Sequence, residues 1–195
     1  MRISRIFVFL VVLLIAAPSS RATEIDSSPL AAVVKIDVKV SGEARSADIL
    51  GTERTGSGVL IDASGLILTI GYLILEASEA TVETADGRSV PAQPIAYDHE
   101  SGFGLLRTLK PLGVKPMELG DSRALRERTA VLIAGHGGKE VAAPAYVVSR
   151  REFAGPWEYL LENAVFTAPA YRNFGGAALI ATNGKLVGIR SEEHT

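Results

Sequence analysis

His99, His136 and His194 are the side chains best suited to acid–base chemistry at neutral pH, and the chain has no cysteine. Nucleophilic catalysis by such a base needs a hydroxyl or thiol within hydrogen-bond reach and a carboxylate to fix the imidazole tautomer. His99 lies in the acidic turn Asp98-His99-Glu100 and reads as a solvated hairpin tip. His136 lies in Gly135-His136-Gly137-Gly138 and reads as a loop residue bonded to its own backbone, with a pocket wall as the functional alternative; His194 is next to last. No serine can be placed beside any of them from the sequence, and Ser57 in Gly56-Ser57-Gly58 is not an exception. The histidines are more than thirty residues apart with no partner three or four positions away, so no metal site is expected, and no cofactor.

The elements that would position these groups are strands. Val34, Ile36, Val38 and Val40 alternate with polar residues, the period-two pattern of a half-buried strand. Further β-rich runs follow at 58–62, 66–69, 80–84, 89–95 and 104–108, separated by turn signals such as Ala85-Asp86-Gly87-Arg88. After the connector Lys110–Pro116, a second series occupies 129–134, 145–149, 158–166, 177–181 and 185–189, with Asn183-Gly184 as a hairpin turn. Only Tyr72–Ala77 and Ser122–Glu127 look helical, the second capped by Asp121 or Ser122. Two small β-barrels in tandem, with lobes near 30–110 and 117–189, are expected. Phe153, Trp157, Tyr159, Phe166, Tyr171 and Phe174 give the second lobe an aromatic cluster, mostly packing, with Tyr171 and Phe174 expected to face a cleft.

Composition narrows the partners. A net charge of −2 without a run of like charges gives no electrostatic footprint for nucleic acid. Met1-Arg2-Ile3-Ser4-Arg5 is basic, Ile6–Ala17 is apolar, and Ser20-Arg21-Ala22 supplies small residues for cleavage, so residues 1–22 read as a signal peptide. An apolar run of that length rises only about 18 Å as a helix against a hydrocarbon core of roughly 30 Å, so no stable membrane anchor is expected after cleavage.

Gly56-Ser57-Gly58-Val59-Leu60-Ile61-Asp62-Ala63-Ser64-Gly65-Leu66-Ile67-Leu68-Thr69 resembles the opening of the first barrel in the HtrA family of trypsin-like serine proteases (the DegP type). The likeness runs without a gap to Arg107. In that family the segment leads to a T-N-x-H-V motif with the catalytic histidine, an A-D-G-R hairpin, and D-P-x-x-D-L-A-L-L, whose second aspartate orients the histidine. Here Thr69-Ile70-Gly71-Tyr72-Leu73 puts Tyr72 at the histidine, and Asp98–Leu106 puts Gly102 at the aspartate. The family's G-N-S-G-G-P-L nucleophile loop can be laid on Arg172–Ala178 or on Asn173–Leu179, which puts the serine position at Phe174 or at Gly175. Neither has a hydroxyl.

The resemblance implies an all-β chymotrypsin/trypsin-like fold of two six-stranded barrels, the second truncated, because the family has another strand after the segment matching Gly188-Ile189 and commonly a PDZ domain beyond. It implies a bacterial periplasmic protein, with a trimer as the family's oligomer. With all three triad positions vacant, the expected function is a pseudoprotease that binds a peptide or an unfolded or regulatory protein. An active endopeptidase using other residues and a structural domain of a longer PDZ-containing protein are the alternatives. Tyr72 is expected to plug the cleft, since a neutral phenol is a poor base. Arg172, Asn173, Phe174, Gly175 and Gly176 would form a collapsed remnant of the oxyanion loop. Residues 190–195 read as a non-native tail.

Overall fold

The computed structural model describes residues 29–155, 160–172 and 175–191. The proposed signal peptide lies outside these residues, as do Trp157, Tyr159, Asn173, Phe174 and positions 192–195 of the proposed tail. Among the described residues, no helix is long and apolar enough to cross a membrane.

Strand β1, Val33–Val40, buries Val34, Ile36 and Val38 and turns Lys35, Asp37 and Lys39 outward, as its alternation requires. It is followed by β2 (Glu53–Leu60), β3 (Leu66–Ile70), β4 (Ala77–Glu83), β5 (Ser89–Tyr97) and β6 (Phe103–Thr108). These strands close into an antiparallel barrel in the order β1-β2-β3-β6-β5-β4. The Gly56-Ser57-Gly58 motif has a packing reason. A Cβ on Gly58 would stand 2.6 Å from Ile36 Cδ1 and 2.7 Å from Ile67 Cγ2, so the barrel interior fills the space that a side chain would take.

The second lobe consists of β7 (Ala130–Ala134), β8 (Ala143–Phe153), β9 (Leu161–Ala168), β10 (Ala178–Ala181) and β11 (Leu186–Ile189). Its order, β11-β10-β7-β8-β9, repeats that of the first barrel with the place of β6 left open. Among the described residues it is therefore a curled five-stranded sheet and not a closed six-stranded barrel. The connector joins the two lobes: Met117 N–H donates to the Leu60 carbonyl (2.9 Å), and Leu186 N–H donates to the Glu118 carbonyl (2.8 Å). One buried cluster accordingly runs from Ile36, Ile67 and Leu106 through Met117 to Leu132, Ile180 and Leu186.

The helical expectations shorten. The first is a single turn, Gly71–Ile74, because β4 already begins at Ala77; the second is one 3-10 turn, Ser122–Ala124, capped by the Asp121 carboxylate on Arg123 N–H. A further short turn, Ala47–Leu50, carries no sequence periodicity that would have announced it.

Candidate functional site

Numbering the helical turns in chain order, Ala47–Leu50 is α1 and Gly71–Ile74 is α2. Residue 72 lies on α2, which follows directly from β3. A turn this short cannot stabilise itself, since nucleation fixes several residues for one hydrogen bond. Arg54 compensates from β2. Its Nη1 donates to the carbonyls of Tyr72 (2.8 Å) and Leu75 (2.9 Å), Nη2 to Ser46 Oγ (2.7 Å), and Nε to the Gly51 carbonyl (3.2 Å). This buried guanidinium fixes α2 against the barrel and orients Tyr72.

Gly102 is buried in the turn before β6, with φ +72. The Asp98 carboxylate shapes that turn by accepting from the Ser101 hydroxyl and from the Glu100 and Ser101 N–H groups. The Gly102 carbonyl accepts from Gly71 N–H at 2.7 Å, which brings the residue beside α2. Gly175 arrives from the other lobe, before β10. A Cβ built on it would stand 3.0 Å from Tyr72 Oη. Tyr72, Gly102 and Gly175 thus converge at the junction of the lobes, and the half-buried Tyr72 fills the space into which a side chain at 175 would project. Tyr72 also donates its hydroxyl to the Ser191 carbonyl at 3.3 Å.

The loop around Gly175 is tightly held. Its carbonyl accepts from Ser57 N–H (2.8 Å), Gly176 N–H donates to the Arg190 carbonyl (3.1 Å), and Arg190 N–H donates to the Ala177 carbonyl (2.8 Å). Arg190 Nη1 reaches Thr167 Oγ1 at 2.6 Å, so residue 190 is joined to β9. Gly176 has φ +76 and would put a Cβ 1.9 Å from the Ser57 carbonyl oxygen. Only glycine fits there. Arg172 is exposed, and the rest of the proposed oxyanion remnant, Asn173 and Phe174, lies outside the described residues.

Two expectations need correction. Tyr171 does not face the cleft; it is buried in the second core, accepting from Gly135 N–H (2.9 Å) and donating to the Val141 carbonyl (2.6 Å). His136 does have a serine beside it: Ser57 Oγ is 3.0 Å from its Nδ1 and accepts its backbone N–H at 2.9 Å. The pair is 79 residues apart in sequence and meets only because β2 and the loop after β7 cross the lobe junction. Ser57 is 1% exposed. His136 is half-buried, and burial, reinforced by the Lys35 charge, pushes its pKa down from the usual imidazole value. His99 stays on the surface, edge-on to Tyr97. Among the described residues no group of three acidic or histidine side chains could hold a metal ion.

Two cavities flank this junction. A groove of about 400 Å³ lies between β9 and β11 and is lined by Phe103, Phe166, Leu179, Ile189 and Ser191, the last of which also meets Tyr72. A larger one, about 560 Å³, is lined by Pro29, Met117, Leu132, Pro144 and Ile180 and touches none of Tyr72, Gly102 and Gly175.

Comparison with known proteins agrees with this architecture. The profile of the trypsin-like peptidase domain matches residues 56–189. The chain belongs to that family. Over 142 residues it is 34% identical to the periplasmic pH-dependent serine endoprotease DegQ of Escherichia coli K12, an alignment covering 71% of this chain and 31% of the relative. It is 30% identical to the serine protease PepD of Mycobacterium tuberculosis over an alignment of 195 residues, covering 90% of this chain and 41% of PepD. The chain thus spans well under half the length of these relatives. Among solved structures, the HtrA-type protease AlgW with a decapeptide superposes with a TM-score of 0.70 over 87% of this chain and 58% of AlgW, at 22% identity. That likeness carries the fold.

Proposed function

We propose that this trypsin-like domain is a pseudoprotease of the HtrA type that binds an extended peptide or unfolded protein segment without cleaving it, in the periplasm, where DegQ is found by name. The observation that supports it is the convergence of Tyr72, Gly102 and Gly175. Tyr72 and Gly175 meet across the lobe junction beside Gly102, and none of these residues supplies a serine or cysteine nucleophile, an imidazole base or a carboxylate. Of the two registers for the nucleophile loop, the approach of Gly175 to Tyr72 Oη favours Gly175. The groove between β9 and β11 remains beside the plugged centre and offers a mainly apolar surface for the ligand.

The active-endopeptidase reading has one observation in its favour, the Ser57–His136 contact. However, a nucleophile must be reached by a carbonyl carbon, and Ser57 is buried with its Oγ already accepting a backbone N–H. A fluorophosphonate probe should leave the protein unlabelled, and casein should remain intact; labelling of Ser57, lost in Ser57→Ala, would promote that alternative. Gly175→Ser, Tyr72→His and Gly102→Asp, made singly, should also stay inactive, because triad members act as a unit. A serine at 175 forces Tyr72 Oη, 3.0 Å from the new Cβ, to give way by a few tenths of an ångström, and an aspartate at 102 enters a buried left-handed turn. Peptide-array binding to the domain separates the binding reading from a purely structural one.

A further inference from the structure

Ser57 is a junction as well as a buried hydroxyl. Its N–H donates to the Gly175 carbonyl, its carbonyl accepts from Thr69 Oγ1 (2.6 Å), and its Oγ makes both contacts to His136. In the neutral tautomer whose Nδ1 is unprotonated, Oγ accepts the His136 N–H with one lone pair and donates its own proton to Nδ1. The imidazole and the Gly175 loop, both from the second lobe, are thus fastened to one residue of β2.

We propose that the Ser57–His136 contact is an acid-released latch between the two lobes, closed when the imidazole is neutral and weakened when Nδ1 takes up a proton. With Nδ1 protonated, ring and hydroxyl are both donors. Ser57 must then turn its proton toward another acceptor in a site that is 1% exposed, or lose the contact. Four elements present the surrounding groups. Lys35 and Asp37 lie on β1 and are paired with each other at 2.8 Å; Glu83 lies on β4, Ser57 on β2 and Thr69 on β3. Asp37 and Glu83 favour the imidazolium, whereas burial and Lys35 oppose it, and the opposing pair prevails. The folded-state pKa therefore lies below the unfolded one. The latch contributes fully above the ordinary imidazole value of about 6.5, and its contribution is lost as pH falls through that value to the depressed folded one. The proposal does not depend on whether the cleft takes a peptide.

The test uses the whole chain and two variants. His136→Gln keeps a hydrogen-bonding side chain that does not titrate, and Ser57→Ala removes the hydroxyl. Wild type should show a His136 NMR titration midpoint below the ordinary imidazole value of about 6.5. Hydrogen exchange at Gly175 and Gly176, corrected for intrinsic rates, should accelerate severalfold between pH 7 and pH 5. In His136→Gln that acceleration should disappear. Ser57→Ala, where it folds, should exchange quickly at both pH values. An ordinary His136 midpoint, or equal acceleration in wild type and His136→Gln, overturns the latch. His136→Gln alone decides the matter if Ser57→Ala does not fold.

Discussion

Among the described residues the two lobes repeat one strand order, yet only the first is closed: β6 fills the seat between β3 and β5, while the matching seat between β9 and β11 is an apolar groove. Burial follows that difference. Of the largest fully buried side chains, Ile36, Ile67, Ile70, Leu106, Val33, Val34, Val59 and Val82 belong to the first barrel, against Ile133 and Val147 in the second sheet. The second lobe also shows Tyr146 and Val148 side by side on the outer face of β8, each about half exposed. The closed lobe supplies the rigid frame with positions 72 and 102, and the open lobe brings position 175 to it. The junction is therefore where the fold should be least tolerant of change.

The largest expected effect tests that statement directly. Gly176→Ala adds a methyl that meets the Ser57 carbonyl and the Thr69 hydroxyl, at a φ that also disfavours alanine. Neither obstacle is a flexible side-chain end. Left-handed strain of about 1–2 kcal/mol and overpacking of about 1–3 kcal/mol add to about 2–5 kcal/mol, a large part of an ordinary domain's stability. Denaturant unfolding should show it, and a native-like midpoint would mean that the two lobes are not held at this loop.

A core truncation in each lobe comes next. Leu106→Ala should cost about 3 kcal/mol, because the closed barrel cannot collapse around the void. Val187→Ala, in β11 at the open edge, removes fewer atoms from a less enclosed site and should cost about 1–2 kcal/mol. Native-state hydrogen exchange sharpens the contrast: amides of β1, β2 and β6 should open only with global unfolding, and the free-edge amides of β9 and β11 should exchange earlier. Equal protection of both lobes would show that the second sheet is completed by a further strand.

The sequence carried the first lobe well because its information is local: strand alternation, turn chemistry and an ungapped run from Gly56 to Arg107 place residues 72 and 102 without any long-range contact. Gly56-Ser57-Gly58 could be matched as a motif, but its reason could not be read. That reason is the approach of Ile36, Ile67 and Leu73, which come from other elements. The Ser57–His136 pair was invisible for the same cause, since nothing in either segment specifies the other. Nothing local to Tyr171 separates it from a loop that the family places at the cleft, whereas its hydroxyl satisfies two backbone groups of the loop after β7. The apolar run of α2 continues to Leu75 and suggests a longer helix, while the backbone is already extended at Leu75, with Arg54 bonded to the Leu75 carbonyl.

The smallest effect isolates backbone strain from crowding. Gly87, in the hairpin between β4 and β5, has φ +83, close to the φ +76 of Gly176, but a Cβ built on it finds nothing within 4 Å. The turn is held by Gly87 N–H to the Thr84 carbonyl (2.9 Å) and by Arg88 Nε on the Asp86 carboxylate (2.9 Å), contacts that a methyl does not disturb. Gly87→Ala should therefore cost only the left-handed strain, about 1 kcal/mol, partly offset by the stiffer unfolded chain, and Gly87→Asn should cost less because asparagine tolerates that region. Thermal melts of Gly87→Ala and Gly176→Ala measured side by side separate the two terms. A Gly87→Ala midpoint depressed as far as that of Gly176→Ala would show that backbone conformation alone sets the cost, and the junction would lose its claim to be the more constrained region.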